Sequence, residues 1–192
     1  MQRAYYDQLV STFLQQTPDE ILGEVARNNE FALEQKQRNT WIYEIQILQN
    51  ALAELDSGSI AFEYTIPRIG DRIDNVFIYN GVIYLIEFKV GESCFPKHAI
   101  EQVLDYALDL KYFHKESQSR EIVPIIVCTH AEDKTNHLSM DNDGIFQPVK
   151  ANASTLKSII HWLTEQISDK PLDFSAWLES QYMPTPTIIE AA

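Results

Sequence analysis

The chain has 192 residues, of which 45% are hydrophobic and 22% charged, a composition typical of a single globular domain that buries its own core. Acidic residues outnumber basic ones by 28 to 15, and the resulting net charge of −13 argues against tight binding of nucleic acid through a basic face. No apolar run approaches the length of a membrane span and the N-terminus lacks a signal-peptide pattern, so we expect a cytoplasmic protein with no membrane partner.

The N-terminal third of the chain predicts helices followed by a strand. Residues 1 to about 34 are predicted to be helical, with a second helix beginning at the TPDE segment of residues 17–20. A third helix is predicted from about residue 37 to residue 55, because its apolar residues recur at spacings of three and four. The Ser-Gly-Ser segment at 57–59 then breaks the chain, and residues 60–67 form the first predicted strand.

Residues 72–89, RIDNVFIYNGVIYLIEFK, predict a β-hairpin. Asn80-Gly81 is the dipeptide that a two-residue hairpin turn favours, since both central residues must tolerate positive φ. The flanking segments are rich in β-branched and aromatic residues. The turn fixes the register of the hairpin if Tyr79 faces Val82.

This register brings charged residues together. Asp74 is predicted to lie directly opposite Glu87, and Arg72 opposite Lys89. Lys89 projects from the same sheet face as Glu87, two residues away. Two opposed carboxylates destabilise a sheet unless something offsets their repulsion, and a bound Mg²⁺ would do so because it prefers carboxylate oxygens. The alternative is a solvated cluster of cross-strand salt bridges.

The second half of the chain alternates helices and strands. Residues 96–115 predict a helix with an apolar stripe, residues 121–130 a buried strand, residues 145–149 a further strand and residues 154–167 a helix. The predicted core order is therefore α-β-β-β-α-β, which is an α/β (α+β) fold with a mixed central sheet flanked by helices. Residues 1–169 form one domain in this prediction.

The pattern Asp74, Glu87 and Lys89 on a hairpin resembles the PD-(D/E)xK nuclease superfamily. The GDRID segment that ends at the aspartate is similar to the G-x-x-D segment of its RecB-like branch. Gln102 and Tyr106, on the helix after the hairpin, are similar to the Q-x-x-x-Y motif of that branch. The three matches follow one another in the order that the family requires.

The resemblance implies a nuclease fold and a set of catalytic residues. Asp74 and Glu87, joined by the backbone carbonyl of Phe88, would bind Mg²⁺ or Mn²⁺. Lys89 would orient or deprotonate the hydrolytic water. Gln102 would act in catalysis by orienting the lysine.

The resemblance also implies residues around this centre. Gln102 and Tyr106 would contact nucleic acid, with DNA expected rather than RNA, and Arg72 would join them. A second metal would need Glu44, on the third helix, or Glu63, on the first strand. For both acids a solvated position is the alternative. A local basic patch would draw on Arg68, Arg72, Lys89 and Lys97.

The C-terminal segment 170–192 is predicted to be a linker that ends in the start of a new helix. Together with the EYxIPR, R-x-D and IEFKVG segments, its YMPTPTIIEAA sequence resembles bacterial proteins in which a nuclease-like domain precedes a Schlafen-like P-loop helicase or ATPase. No G-x-x-x-x-G-K-[ST] motif occurs in these 192 residues. The resemblance implies that a C-terminal helicase or ATPase domain supplies affinity for nucleic acid, in DNA processing or defence against foreign DNA.

Three hypotheses follow from the sequence. The first is a metal-dependent nuclease that hydrolyses phosphodiester bonds. The second is a nuclease-like module that has lost cleavage and serves in docking or nucleic-acid binding. The third is an unrelated α/β domain with a surface ion-pair cluster. Cys94 and Cys128 show no metal-ligand spacing, so we expect free thiols in a reducing compartment.

Overall fold

The structure, a computed structural model, describes residues 3–29, 35–66 and 70–186. It is built around one mixed sheet of six strands, in which the spatial order is the chain order. Strands β1 to β4 are antiparallel, whereas β4, β5 and β6 are parallel. The strands are β1 Tyr6–Leu9, β2 Ser59–Thr65, β3 Arg72–Tyr79, β4 Val82–Lys89, β5 Ile122–Cys128 and β6 Val149–Ala151.

Helices cover both faces of the sheet, as the predicted fold class requires. They are α1 Val10–Gln15, α2 Pro18–Asn28, α3 Gln35–Leu52, α4 Lys97–Phe113, α5 Leu156–Gln166 and α6 Phe174–Leu178. Helices α1, α2, α3 and α5 bury their apolar sides in one core, on what we call the α3 face of the sheet. Helix α4 and the segment around α6 bury theirs in a second core, on the α4 face. None of the helices in the described ranges is long and apolar enough to cross a membrane.

The predicted hairpin and its register are confirmed. Asn80 and Gly81 both have positive φ, 47° and 78°, as a two-residue turn of this kind needs. The β3–β4 ladder runs from Tyr79 opposite Val82 to Asn75 opposite Ile86. A Cβ on Gly81 would lie 2.0 Å from the carbonyl oxygen of Lys170, so this turn requires glycine for space as well as for conformation.

The N-terminal segment differs from the prediction. Residues 6–9 form an edge strand that pairs with β2, and only then do α1 and α2 begin. Tyr6 is buried against Phe62, and this packing overrides the weak helical pattern of four residues. The predicted start of α2 is confirmed, since the Thr17 side chain accepts a hydrogen bond from the backbone N–H of Glu20. Residues 30–34 of the predicted helical region lie outside the described residues.

The strand observed in place of the predicted strand 145–149 is shorter and begins later in the chain. Residues 145 and 146 form only isolated bridges, with Ile122 and Met140, and β6 itself is Val149–Ala151. The reason lies in the turn before it, where the carboxylate of Asp141 accepts hydrogen bonds from the backbone N–H groups of Asp143 and Ile145. After this turn the chain bonds to β5 only at Ile122, through Gly144 and Phe146, and the ladder of β6 begins at residue 149.

The segment after residue 169 also differs from the predicted linker. Trp177 is fully buried in the α4-face core, its Nε1 donates to Ser117 Oγ at 2.8 Å, and its ring lies 4.6 Å from that of Tyr64. The backbone N–H of Asp169 donates to the carbonyl of Asn80 at 2.8 Å and ties the segment to the hairpin turn. A single tryptophan without a long periodic pattern gave no signal of this packing. The predicted helix start at the end of the tail falls at 187–192, outside the described residues.

We expect the Trp177→Ala substitution to lower the free energy of unfolding by about 3–5 kcal/mol, because it removes a fully buried indole and leaves a cavity. Urea unfolding followed by circular dichroism would measure the loss. Trp162→Ala, at a half-buried position on α5, is the matched control and should cost clearly less. Equal small losses in both variants would show that the segment after residue 169 contributes nothing to folding.

A buried hydrogen-bond network lies beside Trp177. The ring of His114 bonds through Nε2 to the hydroxyl of Tyr64, at 2.9 Å, and through Nδ1 to Ser117 Oγ, at 2.7 Å. Burial, with a smaller effect of the Arg3 charge, lowers the pKa of His114 from 6.5 to about 3. The imidazole is therefore neutral in the folded protein at neutral pH.

This shift predicts a loss of stability in acid. Below the unfolded pKa of 6.5 the unfolded chain binds a proton at His114 that the folded chain does not, so the contribution of this group falls as the pH drops from 6.5 towards 3. At about pH 5 the loss relative to neutral pH is about 2 kcal/mol. Comparing urea unfolding of the wild type and His114→Gln at both pH values isolates this contribution from that of other groups. A wild-type difference no larger than that of the variant would contradict the prediction.

Candidate metal and active site

Three acids lie at one level of the sheet, on three neighbouring strands. The β3–β4 ladder ends at Asn75 opposite Ile86, and Asp74 and Glu87 are the next residues on the two strands. The register of β2 with β3 pairs residues on either side of Glu63 and Asp74, and so brings these two opposite each other as well. The predicted pair is thus extended by a third carboxylate on β2.

The regular alternation of side chains between the two faces of the sheet breaks at this level. Phe62 packs in the core of the α3 face, whereas Tyr64, two residues later on the same strand, packs in the core of the α4 face. Glu63 between them has a φ of 52°, a left-handed conformation that is uncommon for a non-glycine residue and costs on the order of 1–3 kcal/mol. On β3, Ile73 and Val76 both belong to the α4-face core although they are three residues apart. The acids therefore lie at the level where the side chains of β2 and β3 change from one face of the sheet to the other.

Helix α3 adds a fourth carboxylate. Its apolar stripe packs on the α3 face and carries Glu44 into a position where only 6% of the residue is exposed. On the preceding turn of α3, Trp41 Nε1 donates a hydrogen bond to Glu63 Oε1 at 3.1 Å. Glu44 and Glu63 are thus placed beside Asp74, and the solvated alternative for these two acids does not describe their positions.

A cavity of about 390 Å³ joins these groups. Its wall contains every predicted metal-binding residue together with the predicted catalytic lysine. Its outer part is formed by polar residues at the beginning of α3, which the sequence analysis did not single out. The lining residues are Lys36, Gln37, Thr40, Trp41, Glu44, Glu63, Asp74, Glu87, Phe88 and Lys89.

Lys89 is held by a chain of hydrogen bonds that reaches α4. Its Nζ donates to Glu87 Oε1 at 2.8 Å and to Gln102 Oε1 at 3.0 Å. Gln102 Nε2 in turn donates to the hydroxyl of Tyr106 at 2.7 Å. The glutamine and the tyrosine, one helical turn apart, therefore fix the direction of the lysine from the α4 face.

Burial raises the pKa of each of the four acids. For Asp74 the nearby charge of Glu87 adds to the rise, and the hydrogen bond from the Phe88 N–H, at 2.8 Å, opposes it. For Glu44 the Asp74 charge is the second cause, and for Glu63 and Glu87 the hydrogen bonds from Trp41 and Lys89 oppose the rise. Lys89, with a smaller effect of Arg72 on Glu63, does not offset two buried and two half-buried carboxylates, so the cluster holds protons more tightly than isolated acids do.

The chemistry of this donor set fits a divalent cation. Glu87 Oε2 is buried and has no hydrogen-bond partner, which costs free energy unless a ligand supplies one. Within the described residues, no three His, Cys, Asp or Glu side chains are gathered as a ready coordination group. Mg²⁺ needs fewer, since it keeps several waters and binds through one or two carboxylates. In such a site Asp74 and Glu87 would be these two.

Arg72 does not line the cavity, although its charge lowers the pKa of Glu63. Its guanidinium stacks over the ring of Tyr5, 4.4 Å from the centroid, and its Nε donates to Thr65 Oγ1 at 3.4 Å. Arg72 pairs with β2, and the β3–β4 ladder ends before the position where Lys89 would face it. Arg68, a member of the predicted basic patch, lies outside the described residues.

No family model matches this chain, and neither the curated proteins nor the solved structures contain a match to it. The likeness to PD-(D/E)xK nucleases therefore stays a prediction, which rests on the motif residues.

Glu63, Asp74 and Glu87, the three acids on neighbouring strands, form what we call the acid row. Removing one charge from this row should stabilise the metal-free protein. When folding raises the pKa of an acid, the acid keeps its proton to a higher pH in the folded protein than in the unfolded chain. The free energy of unfolding therefore falls as the pH rises from the unfolded pKa to the folded one. We expect Asp74→Asn, which keeps an acceptor for the Phe88 N–H, to have a higher Tm in EDTA at about pH 8. Each kcal/mol of relieved repulsion adds about 2–4 °C.

Thermal scans in EDTA, upward from the ordinary pKa of 3.8 for Asp74, would also show a shallower loss of Tm in Asp74→Asn than in the wild type. Asp105→Asn, at an exposed acid on α4, is the matched control and should follow the wild type. A lower Tm for Asp74→Asn at every pH would mean that Asp74 stabilises the fold through an ion pair, as in the salt-bridge alternative.

Proposed function

We propose that this protein is a divalent-metal-dependent nuclease that hydrolyses phosphodiester bonds in nucleic acid. The observation that carries the proposal is the acid row with its lysine, gathered in one cavity with an unpartnered carboxylate oxygen on Glu87. Buried like charges are costly, and a cation bound between them would remove that cost. A surface salt-bridge cluster would leave the same acids in solvent.

Each residue of the site has a role in this proposal. Asp74 and Glu87 hold Mg²⁺ or Mn²⁺, and Phe88 adds its backbone carbonyl. The N–H of Phe88 points at Asp74, and in an extended strand the carbonyl of a residue points to the same side as its N–H, which favours this assignment. When bound, the metal supplies Lewis-acid stabilisation of the phosphate and a more acidic water.

The other groups of the site orient the reacting groups or accept a proton. Lys89 is a fixed cation that faces the phosphate oxygens, and its two hydrogen bonds keep it from rotating away. Gln102 is the positioning residue that holds Lys89. Glu44 lines the same cavity beside Asp74 and would accept the proton of the attacking water at its carboxylate when ionised. Glu63 is the further acid available for a second metal.

The acidic character of the chain bears on how substrate is held. A net charge of −13 gives little sequence-independent affinity for a polyanion. This supports the proposal that affinity comes from a C-terminal helicase or ATPase domain of the same polypeptide. DNA as the substrate, a cytoplasmic location and a role in DNA processing or defence are parts of the same proposal. The free thiols Cys94 and Cys128 are consistent with a reducing compartment.

One observation favours the second candidate, an inactive nuclease-like docking module. The described residues contain no ready group of three metal-binding side chains, and the third acid of the row is engaged by Trp41. A module that had lost cleavage would keep the fold and the cavity but bind metal weakly.

Calorimetric titration with Mn²⁺ separates the two functions. We expect the wild type to bind the ion and Asp74→Ala to lose the binding, because the substitution removes a ligand. Lys89→Ala should keep the metal but cut a labelled oligonucleotide about 10²–10³ times more slowly, since it removes a charge that faces the developing phosphate charge. The second readout is a gel-based cleavage assay on the same preparations.

Exposed residues on and just after α4 provide the controls. Asp105→Ala should bind Mn²⁺ as the wild type does, and Lys115→Ala, at an exposed lysine just beyond the end of α4, should cleave at the wild-type rate. Weak binding of Mn²⁺ together with no cleavage of any nucleic acid would favour the docking module. An affinity for Mn²⁺ that is the same in Asp74→Ala as in the wild type would place the ion elsewhere and remove the basis of the nuclease proposal.

A further inference from the structure

Trp41 forms part of the cavity wall, on the turn of α3 before Glu44. The residue is only 5% exposed and packs in the core of the α3 face, so core packing fixes the direction of its indole N–H. That N–H donates to Glu63 Oε1 at 3.1 Å. The contact ties the helix to a strand residue whose backbone is itself held in a left-handed conformation.

The Glu63 side chain needs an anchor to stay in the cavity. The packing of Phe62 and Tyr64 in opposite cores fixes the backbone at this position. The side chain of Glu63 is only half-buried, however, and it has several rotatable bonds whose freedom favours an orientation in solvent. Trp41 limits this freedom, because it binds one carboxylate oxygen from a rigid ring.

The charges around Glu63 do not provide this anchor. Burial raises the pKa of Glu63, and the negative charge of Glu87 adds to the rise. Arg72 lowers that pKa but does not line the cavity, so its attraction acts on the carboxylate from outside the site. The hydrogen bond from Trp41 is the largest effect that favours the charged carboxylate, and it acts from the cavity wall.

Carboxylates that bind a metal are commonly hydrogen-bonded to a neighbouring group, which fixes their orientation and is needed for full metal affinity. Trp41 has this relation to Glu63. The alternative is that the N–H of Trp41 has only found the nearest acceptor, as buried tryptophans usually do. In that case the contact would contribute to the stability of the fold and not to metal binding.

We propose that Trp41 is a positioning residue of the metal site, whose indole N–H holds the Glu63 carboxylate towards the cavity so that Glu63 strengthens the binding of the divalent cation. This inference rests on the proposed nuclease function and adds a residue to its site. It assigns the contact between Trp41 and Glu63 to a working metal site, and not to a module that has lost its metal.

The test is a calorimetric titration of the 192-residue chain with Mn²⁺ alone. Trp41→Phe keeps an aromatic ring in the core and removes the N–H. We expect it to weaken Mn²⁺ binding by about 10–100-fold, the range for loss of a group that hydrogen-bonds a metal ligand. Glu63→Gln should weaken binding by at least the same factor, since it removes the charge that Trp41 orients. The double variant should bind no more weakly than Glu63→Gln, because Trp41 acts through Glu63.

Another tryptophan provides the control. Trp162→Phe, on α5 and outside the wall of this cavity, should bind Mn²⁺ as the wild type does. Urea unfolding of the same variants in EDTA separates stability from affinity. A tryptophan with a purely structural role would change the free energy of unfolding and leave the affinity for Mn²⁺ unaltered.

A second measurement leaves residue 41 unchanged. The chain contains three tryptophans, and each gives one indole N–H signal in the NMR spectrum of an isotope-labelled sample. Replacing Trp162 and Trp177 by phenylalanine in turn identifies the signal of Trp41 by elimination. Titration of the wild type with Mg²⁺ should shift the Trp41 signal, because the acceptor of this N–H takes part in binding, and should leave the Trp162 signal in place.

Each contrary outcome overturns the inference. Wild-type affinity in Trp41→Phe, or additive losses in the double variant, would show that Trp41 does not act through Glu63. Tighter binding by Trp41→Phe would show that the indole competes with the metal for Glu63, as in the docking module. A Trp41 signal that stays in place while Mg²⁺ binds would separate the contact from the metal site. The failure of the nuclease proposal itself is distinguishable, because Asp74→Ala would then bind Mn²⁺ as the wild type does.

Discussion

The confinement of like charges at one level of the sheet is the constraint on which the rest of the site depends. Asp74, Glu87 and Glu63 come from three adjacent strands, and Glu44 meets them from α3. Burial raises their pKa values and one buried oxygen of Glu87 lacks a partner, so the metal-free arrangement is costly. Only a rigid frame keeps such groups together, and both cores of the domain supply that frame.

The hairpin and its charged residues could be predicted because their signals are local. The Asn80-Gly81 turn fixes the register of β3 with β4, and counting residues back from the turn along both strands leads to Asp74 and Glu87 directly after the last pair of the ladder. The helical spacing of Gln102 and Tyr106 likewise predicts that they lie on one face of α4. For these residues the short-range rules and the tertiary structure agree.

The parts that could not be predicted depend on contacts between distant segments. Nothing in the residues around Glu63 signals a left-handed backbone, because its conformation is set by the packing of its neighbours in opposite cores. The edge strand at residues 6–9 exists because β2 offers it a free side for pairing. The burial of Trp177 depends on Tyr64 and Ser117, which are more than fifty residues away in the chain.

These distant contacts and the site are physically connected. Phe62 and Tyr64 are 2% and 0% exposed, in the cores of opposite faces, and Glu63 between them has no freedom to return to a regular extended backbone. The ring of Tyr64 is fixed in turn by His114 and by Trp177. The strain at Glu63 persists because relieving it would withdraw one of two fully packed aromatic rings from its core, at a cost of about 3–5 kcal/mol, more than the strain itself. The position of the third acid is therefore a consequence of core packing, and the segment around α6 contributes to it through Tyr64.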